Sequence, residues 1–284
     1  MKYPDLPWRK DPRHGEAATA PPRKRKRTVP VKGHSVATVV EVIAGDFHVP
    51  YHDPHAVGCL LGYLKDTKPD GFTINGDYID AYSLSRFSKN PERELQLQDE
   101  LDEANAILDL IDAALPKNCT KRFVVGNHEA RLERYLCDNA RAFHGLRALE
   151  LDSLLKLTER GYEMAQMVGR DASVRIGKVE VGHFNIARKD SGASAKALLL
   201  DRGSSVIQSH THKLAAIYKR KRGTGEQHAA WEIGCMCDLT PEYVSNPDWQ
   251  QGFATITKCA DSPRYHVALH EILGGELLAG GKRY

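Results

Sequence analysis

Apolar residues recur along this chain at two different spacings. Val36 to Ala44, VATVVEVIA, is a β-branched run that predicts a buried strand ending at Gly45. Asp53 before Pro54 marks a helix start, and Leu60, Leu61 and Leu64 supply the apolar side of a segment running to Lys65. Gly71 to Asn75, GFTIN, is a second short strand that leads directly into Gly76 and Asp77. From Glu94 to Leu115 the residues Leu97, Leu101, Ala104, Leu108, Ile111 and Leu115 recur at helical steps, the stripe of one long amphipathic helix stopped by Pro116. Lys121 to Val125 predicts a third strand, and Ala130 to Asn139 and Asp152 to Arg160 predict helices within a 130–175 region expected to be a helical insertion, cap or flank.

The second half turns to strand patterning. ASVRIG and KVEVGHF flank a turn at Gly177 and Lys178, Ser205 to Gln208 enters the string SHTH, LAAIYKRKR and HAAWEIG flank GTGEQ, and FATIT and RYHVALHEI follow. Alternating β and α units followed by antiparallel strands predict an α/β fold, a two-sheet β-sandwich flanked by helices.

Composition adds boundaries to this picture. With 284 residues, 41% hydrophobic and 27% charged, the chain can bury a large single core. It has no run of about 18 apolar residues, and its N-terminus lacks the apolar centre of a secretory signal. A soluble, cytoplasmic protein without a membrane partner is expected. Cys59, Cys119, Cys137, Cys235, Cys237 and Cys259 show no paired CxxC spacing, so reduced and mostly buried thiols are expected. The net charge of +3 is uneven: residues 1–32 hold ten Lys and Arg against three acids, leaving the remainder acidic. PPRKRKR at 21–27, among prolines, predicts a disordered basic tail over 1–34 ahead of a domain at 35–284. That run and the basic turn Lys219 to Arg222 are candidate contacts for DNA or RNA, set against the plainer reading of solvated surface.

The chemistry lies in five short strings: GDFH at 45–48, NGDYID at 75–80, GNHE at 126–129, GH at 182–183 and SHTH at 209–212. Three of them follow predicted strands at once, and loops at strand ends can aim ligands inward from a rigid sheet. Asp46 and His48, one residue apart, face one side on an extended or turning backbone, and His210 and His212 share a face by strand periodicity. Asp77 can bridge two ions through its two carboxylate oxygens, and Asn127 offers a neutral amide oxygen. His183 adds another imidazole. Singly each string is mostly chance; together, in this order, they predict a site for two divalent cations.

This ordered set resembles the calcineurin-like metallophosphoesterase family, in particular its prokaryotic and phage-encoded members, over residues 45–212. The resemblance implies a four-layer α/β/β/α domain, with Asp46, His48, Asp77 and His212 holding one metal and Asp77, Asn127, His183 and His210 the other. It implies His128 as the catalytic imidazole, Asp80 as the carboxylate orienting it, and hydrolysis by a metal-activated hydroxide. Manganese is the first expectation, with iron, zinc, nickel or magnesium as alternatives. Ser209 departs from the usual glycine, and Ala81 stands where serine/threonine protein phosphatases of this family carry a phosphate-clamping arginine, which disfavours that activity. Arg131 and Arg86 are candidate phosphate clamps, against the alternative of structural ion pairs. The expected activity is phosphodiester hydrolysis on a nucleic acid or nucleotide. A phosphomonoesterase of small metabolites and a catalytically silent metal-binding scaffold are the alternatives.

Overall fold

The computed structural model describes residues 36–86, 96–165, 167–168, 171–240 and 247–284. The fold is that of the unit Ala37–Tyr284. The basic tail expected over 1–34, with its 21–27 run, lies outside the described residues.

Strand β1 (Thr38–Ala44) is followed by helix α1 (Pro54–Thr67), strand β2 (Gly71–Asn75), helix α2 (Leu97–Ala114) and strand β3 (Thr120–Val124). The Asp53 carboxylate accepts from the backbone N–H groups of His55 and Ala56, and Pro54 occupies the first turn, so α1 starts where the sequence places it. Helix α3 (Ala130–Asn139), the short α4 (Leu151–Leu155), strand β4 (Tyr162–Met164) and β5 (Met167–Val168) lead to β6 (Asp171–Ile176), β7 (Val179–Gly182), helix α5 (Ala193–Arg202) and β8 (Ser205–Gln208). The chain closes with β9 (Leu214–Arg220), β10 (Gln227–Ile233), β11 (Gln251–Cys259), β12 (Tyr265–Leu273), β13 (Glu276–Ala279) and β14 (Lys282–Arg283).

These strands form two sheets, ordered β14-β13-β12-β11-β1-β2-β3-β4 and β5-β6-β7-β8-β10-β9. Ile43, Ile256 and Val267 of the first sheet meet Val181, Ile207 and Trp231 of the second in the sandwich interior. Leu60 and Leu64 of α1 and Leu108 and Ile111 of α2 pack on the outer face of the first sheet, and Leu198 and Leu199 of α5 on that of the second. The architecture is therefore the four-layer α/β/β/α sandwich. Each fully buried Leu or Ile in these layers contributes about 1.5–3 kcal/mol relative to an exposed one. No helix among the described residues is long and apolar enough to cross a membrane.

Three features differ from the sequence reading. The helix expected over Asp152–Arg160 stops at Leu155, because Lys156 turns left-handed and the Asp152 carboxylate accepts from the backbone and hydroxyl of Thr158. The 130–175 region is not only helical, since β4 extends the first sheet beside β3 while β5 and β6 begin the second. Helix α5, which the strand signals did not announce, has no capping residue of its own, since Gly192 precedes it; its start is held instead by the buried Glu232 carboxylate of β10, which accepts from the N–H groups of Gly192 and Ala195.

The placement of the site follows from strand direction. Strands β1, β2 and β3 are mutually parallel, as are β7, β8 and β10, so their C-terminal ends deliver six loops to one rim of the sandwich.

Candidate metal centre

The loops after β1 and β2 continue side by side beyond the strands, with Asp46 N–H donating to Gly76 O, His48 N–H to Asp77 O and Val49 N–H to Tyr78 O. Asp46, His48, Asp77, His210 and His212 all have φ between +49° and +72°. The backbone here is left-handed, a conformation that costs L-residues energy and recurs at functional sites. Asp46 and His48 face one side from a turning backbone, whereas the shared face that strand periodicity predicts for His210 and His212 is corrected. Alternate left-handed residues aim Asp46 and His48 together, while His210 and His212 diverge toward different partners. His212 joins Asp46 and His48, and His210 joins Asp77 and His183, each a set whose ligand atoms lie within 4.8 Å of one another.

The distances within each set suit ligands of a common cation. His48 Nε2 lies 3.1 Å from His212 Nε2, and His212 Nε2 lies 3.3 Å from Asp46 Oδ1. In the other set His183 Nε2 is 3.1 Å from Asp77 Oδ2, 3.2 Å from Asn127 Oδ1 and 3.2 Å from His210 Nδ1. Ligands bonded to one ion at about 2.0–2.2 Å stand about 3.0–3.4 Å apart. His183 Nδ1 donates to the Asn75 carbonyl at 3.0 Å, and His48 Nδ1 faces Asp80 Oδ1 at 3.0 Å, so it is the Nε2 atom of each ring that faces the cluster. Acceptors facing acceptors at such separations require a proton or a metal ion between them. Burial disfavours charge on His183, yet Asp77 and Asp46 outweigh it and raise this imidazole to about 10, while burial and then His183 push His210 down to about 4. The donor set, mixed oxygen and nitrogen, fits divalent transition ions.

Asp77 links the two sets in a way the sequence did not foresee. Its Oδ1 accepts from the backbone N–H of His128 at 2.9 Å, leaving Oδ2 alone to face His183 Nε2 at 3.1 Å and His48 Nε2 at 3.9 Å. The carboxylate expected to bridge thus turns one oxygen, Oδ2, toward both sets. Glycines make this approach feasible: a Cβ on Gly126 would collide with Asp77, and one on Gly76, at φ +80°, would lie 2.6 Å from His183 Nδ1.

His128 sits at the mouth, edge-on to His48 with ring centroids 4.4 Å apart. Its Nδ1 donates to the Asp80 carbonyl at 2.9 Å and lies 3.0 Å from Asp80 Oδ1. Burial lowers its proton affinity, but Asp77 and Asp80 overcome this and hold it above its ordinary value. Asp80 itself is held well below the usual carboxylate range: burial opposes this, and hydrogen bonds from His128 and His48 prevail. Arg131 is tied down, donating to the Asp80 carbonyl at 2.8 Å and lying 2.9 Å from His128 Nε2. Arg86 is exposed and lines a cleft of about 480 Å³ together with Asn127, Arg131, Arg134 and Tyr135. Every metal-ligand candidate read from the sequence thus reaches one rim, with His128 and Asp80 among them and Arg86 at the edge.

A sequence model of the calcineurin-like phosphoesterase family matches residues 42–230, two thirds of the chain. The chain belongs to the calcineurin-like phosphoesterase family. It is similar to the gene 54 protein of Mycobacterium phage L5, 24% identical over 262 residues covering 85% of this chain and 96% of that protein. The gene 54 protein of Mycobacterium phage D29 is 24% identical over 251 residues, covering 84% and 96%. Among solved structures, Vps29 of Entamoeba histolytica complexed with Zn²⁺ is 15% identical with a TM-score of 0.40, covering 87% of this chain and 96% of that one. The E. coli phosphoesterase YfcE is 12% identical with a TM-score of 0.36, covering 81% and 98%.

Several groups of this calcineurin-like site escaped the sequence reading. Glu129, the last residue of GNHE, is buried and accepts from the backbone N–H groups of Asp77, Tyr78, Ile79 and Gly126 at 2.6–3.1 Å, clamping the loop that carries Asp77. Burial and the Asp77 charge push its carboxyl up to about 7 against those four donors. Arg134, one helical turn beyond Arg131, donates to the Asn127 carbonyl at 2.8 Å; their spacing of three was the available signal. Trp249 packs edge-on over His212 with centroids 4.2 Å apart, and Cys237 Sγ lies 3.7 Å from His212 Nδ1. No local motif announces either contact. All six cysteines are free. Ser209, the departure from glycine, receives a hydrogen bond from Asn75 Nδ2 at 2.8 Å and fills the space over Gly45. His52 and His55 belong to the α1 entry, where the capping side chain is Asp53.

Proposed function

We propose that this protein is a dinuclear metal-dependent phosphoesterase that cleaves phosphodiesters in a nucleic acid or nucleotide, with manganese as the first choice of metal. The observation that carries this reading is the Asp77 Oδ2 oxygen, 3.1 Å from His183 Nε2 of one ligand set and 3.9 Å from His48 Nε2 of the other, with His128 Nε2 3.7 Å away. Asp46, His48, Asp77, Asn127, His183, His210 and His212 would hold two divalent ions, which would supply an activated water and offset charge on the phosphoryl oxygens. The chain's own residues do the rest. Asp80 fixes the His128 ring through Nδ1 and favours its protonated form, which leaves Nε2–H to meet the departing oxygen as a general acid. Protonation of Nε2 sets it donor against donor with Arg131, whose guanidinium lies 2.9 Å away, and so releases that arginine toward a phosphate in the cleft. Arg86 and Arg134 line the same cleft and suit a phosphate with a second ester arm. The basic tail 21–27 and the turn 219–222 would add DNA or RNA contacts.

The discriminating experiment compares bis-p-nitrophenyl phosphate with p-nitrophenyl phosphate in manganese. Turnover of the diester is expected to dominate. Strong monoester turnover with no diester cleavage would replace this reading with the phosphomonoesterase. Equal background rates for wild type and His128→Ala on both esters would leave a silent metal-binding scaffold.

A further inference from the structure

At the rim opposite the metal ligands the two sheets part around a cavity of about 730 Å³. Its floor is Trp231 of β10, and its walls include Tyr218, Arg175, Lys178, Arg264 and His228. Strand direction fixes the separation. Strand β9 leaves the metal rim just after His212 and carries the chain about 20 Å, at about 3.3 Å per residue, before reaching Tyr218 and the basic turn Lys219–Arg222.

Three observations together point to a ligand. First, Lys178 and Arg264 have no carboxylate partner among the described residues, Arg175 has Glu180 at 3.9 Å, and the one carboxylate in the lining, Glu226, lies 3.4 Å from His228, so the cavity edge carries a surplus of positive charge. Second, Tyr218 is 71% exposed and stands perpendicular to Trp231 at 6.2 Å between centroids, an aromatic face held open to solvent beside those cations. Third, Trp231 is 3% exposed and its indole N–H is buried with no acceptor among the described residues. Buried donors are almost always paired, so this indole leaves a polar demand unmet beneath the cavity floor. Aromatic faces beside unpaired cations form the surface on which unpaired bases stack while their phosphates are held.

We propose that this distal rim binds single-stranded nucleic acid, one base lying against Tyr218 above the Trp231 floor and the adjoining phosphates meeting Arg175, Lys178 and Arg264. The strand continues along Lys219–Arg222. The site takes its purpose from the phosphodiester reading, since it holds a polymer well away from the point of cleavage, but binding is measured without cleavage.

The test uses the full chain in EDTA, with fluorescence anisotropy of labelled twelve-residue oligothymidylate as the probe. A twelve-pair duplex and free thymidine monophosphate serve as comparators. Tyr218→Ala is expected to weaken oligothymidylate binding at least about fivefold. The pair Lys178→Gln and Arg264→Gln is expected to reduce the slope of log affinity against log salt by about 1.4. These positions are exposed, and manganese-dependent hydrolysis of bis-p-nitrophenyl phosphate should be unchanged in all variants. Wild-type affinity and salt slope in both variants would overturn the proposal. So would duplex binding as tight as single-strand binding, or displacement of the oligomer by the mononucleotide at equal nucleotide concentration. Absence of ester hydrolysis in every protein would refute the enzyme reading alone, because the anisotropy differences would persist.

Discussion

The two rims of the sandwich are reached by the same strands yet solve opposite problems. At the metal rim, carboxylates and imidazoles are buried to a few per cent exposure and crowd to 3.1–3.3 Å, where only added positive charge relieves them. Five of the ligands sit on left-handed backbone, and Glu129 and Asp80 brace the loops from behind. At the distal rim the surplus charge is positive and Tyr218 stands open to solvent. The difference teaches where chemistry and docking can each be afforded: strain and desolvation concentrate where charge must develop, and solvated cations suffice where a ligand is only held.

The largest expected effect comes from removing the carboxylate that faces both ligand sets. Asp77→Ala should lose both metals by mass spectrometry and drop diester turnover to the detection floor, with the distal rim still binding its oligomer. His128→Ala should retain full metal content while turnover falls about 10²–10⁴-fold; parallel loss of metal would show that this histidine is a ligand. Asp80→Asn, which removes the charge behind both His48 and His128, should weaken metal affinity or turnover about 10–100-fold, read by metal titration beside kinetics.

A smaller effect lies away from both rims. His270 is stacked on Phe253 and bonded to Thr255 Oγ1 at 2.9 Å, and burial pushes its imidazole down to about 4. The folded state prefers the neutral ring, so its contribution is complete above the ordinary value of 6.5 and is lost as pH falls from 6.5 toward 4. Thermal midpoints of wild type should decline across that window more steeply than those of His270→Phe; parallel curves would mean that His270 is not held neutral. The smallest effect at the metal rim is that of Tyr218→Ala, for which unchanged diester kinetics would sharpen the division between the two ends.

Much of this architecture is local and was legible as such. The strand Gly71–Asn75 and the helix Ala130–Asn139 appear where their patterns end, and Pro54 after Asp53 starts α1 because capping depends on adjacent residues. The order of GDFH, NGDYID, GNHE, GH and SHTH carried the family and the candidate ligands, since donor chemistry is a property of residue type. What the sequence could not decide were matters of approach between distant segments. That Asp77 faces both sets through one oxygen depends on the His128 N–H, 51 residues away. The roles of Glu129 and Trp249 and the open distal cavity likewise come from loops meeting in space. Left-handed φ at His210 and His212 runs against the preference of these residues, which is why strand periodicity placed them on one face while the folded protein sends them to different ligand sets.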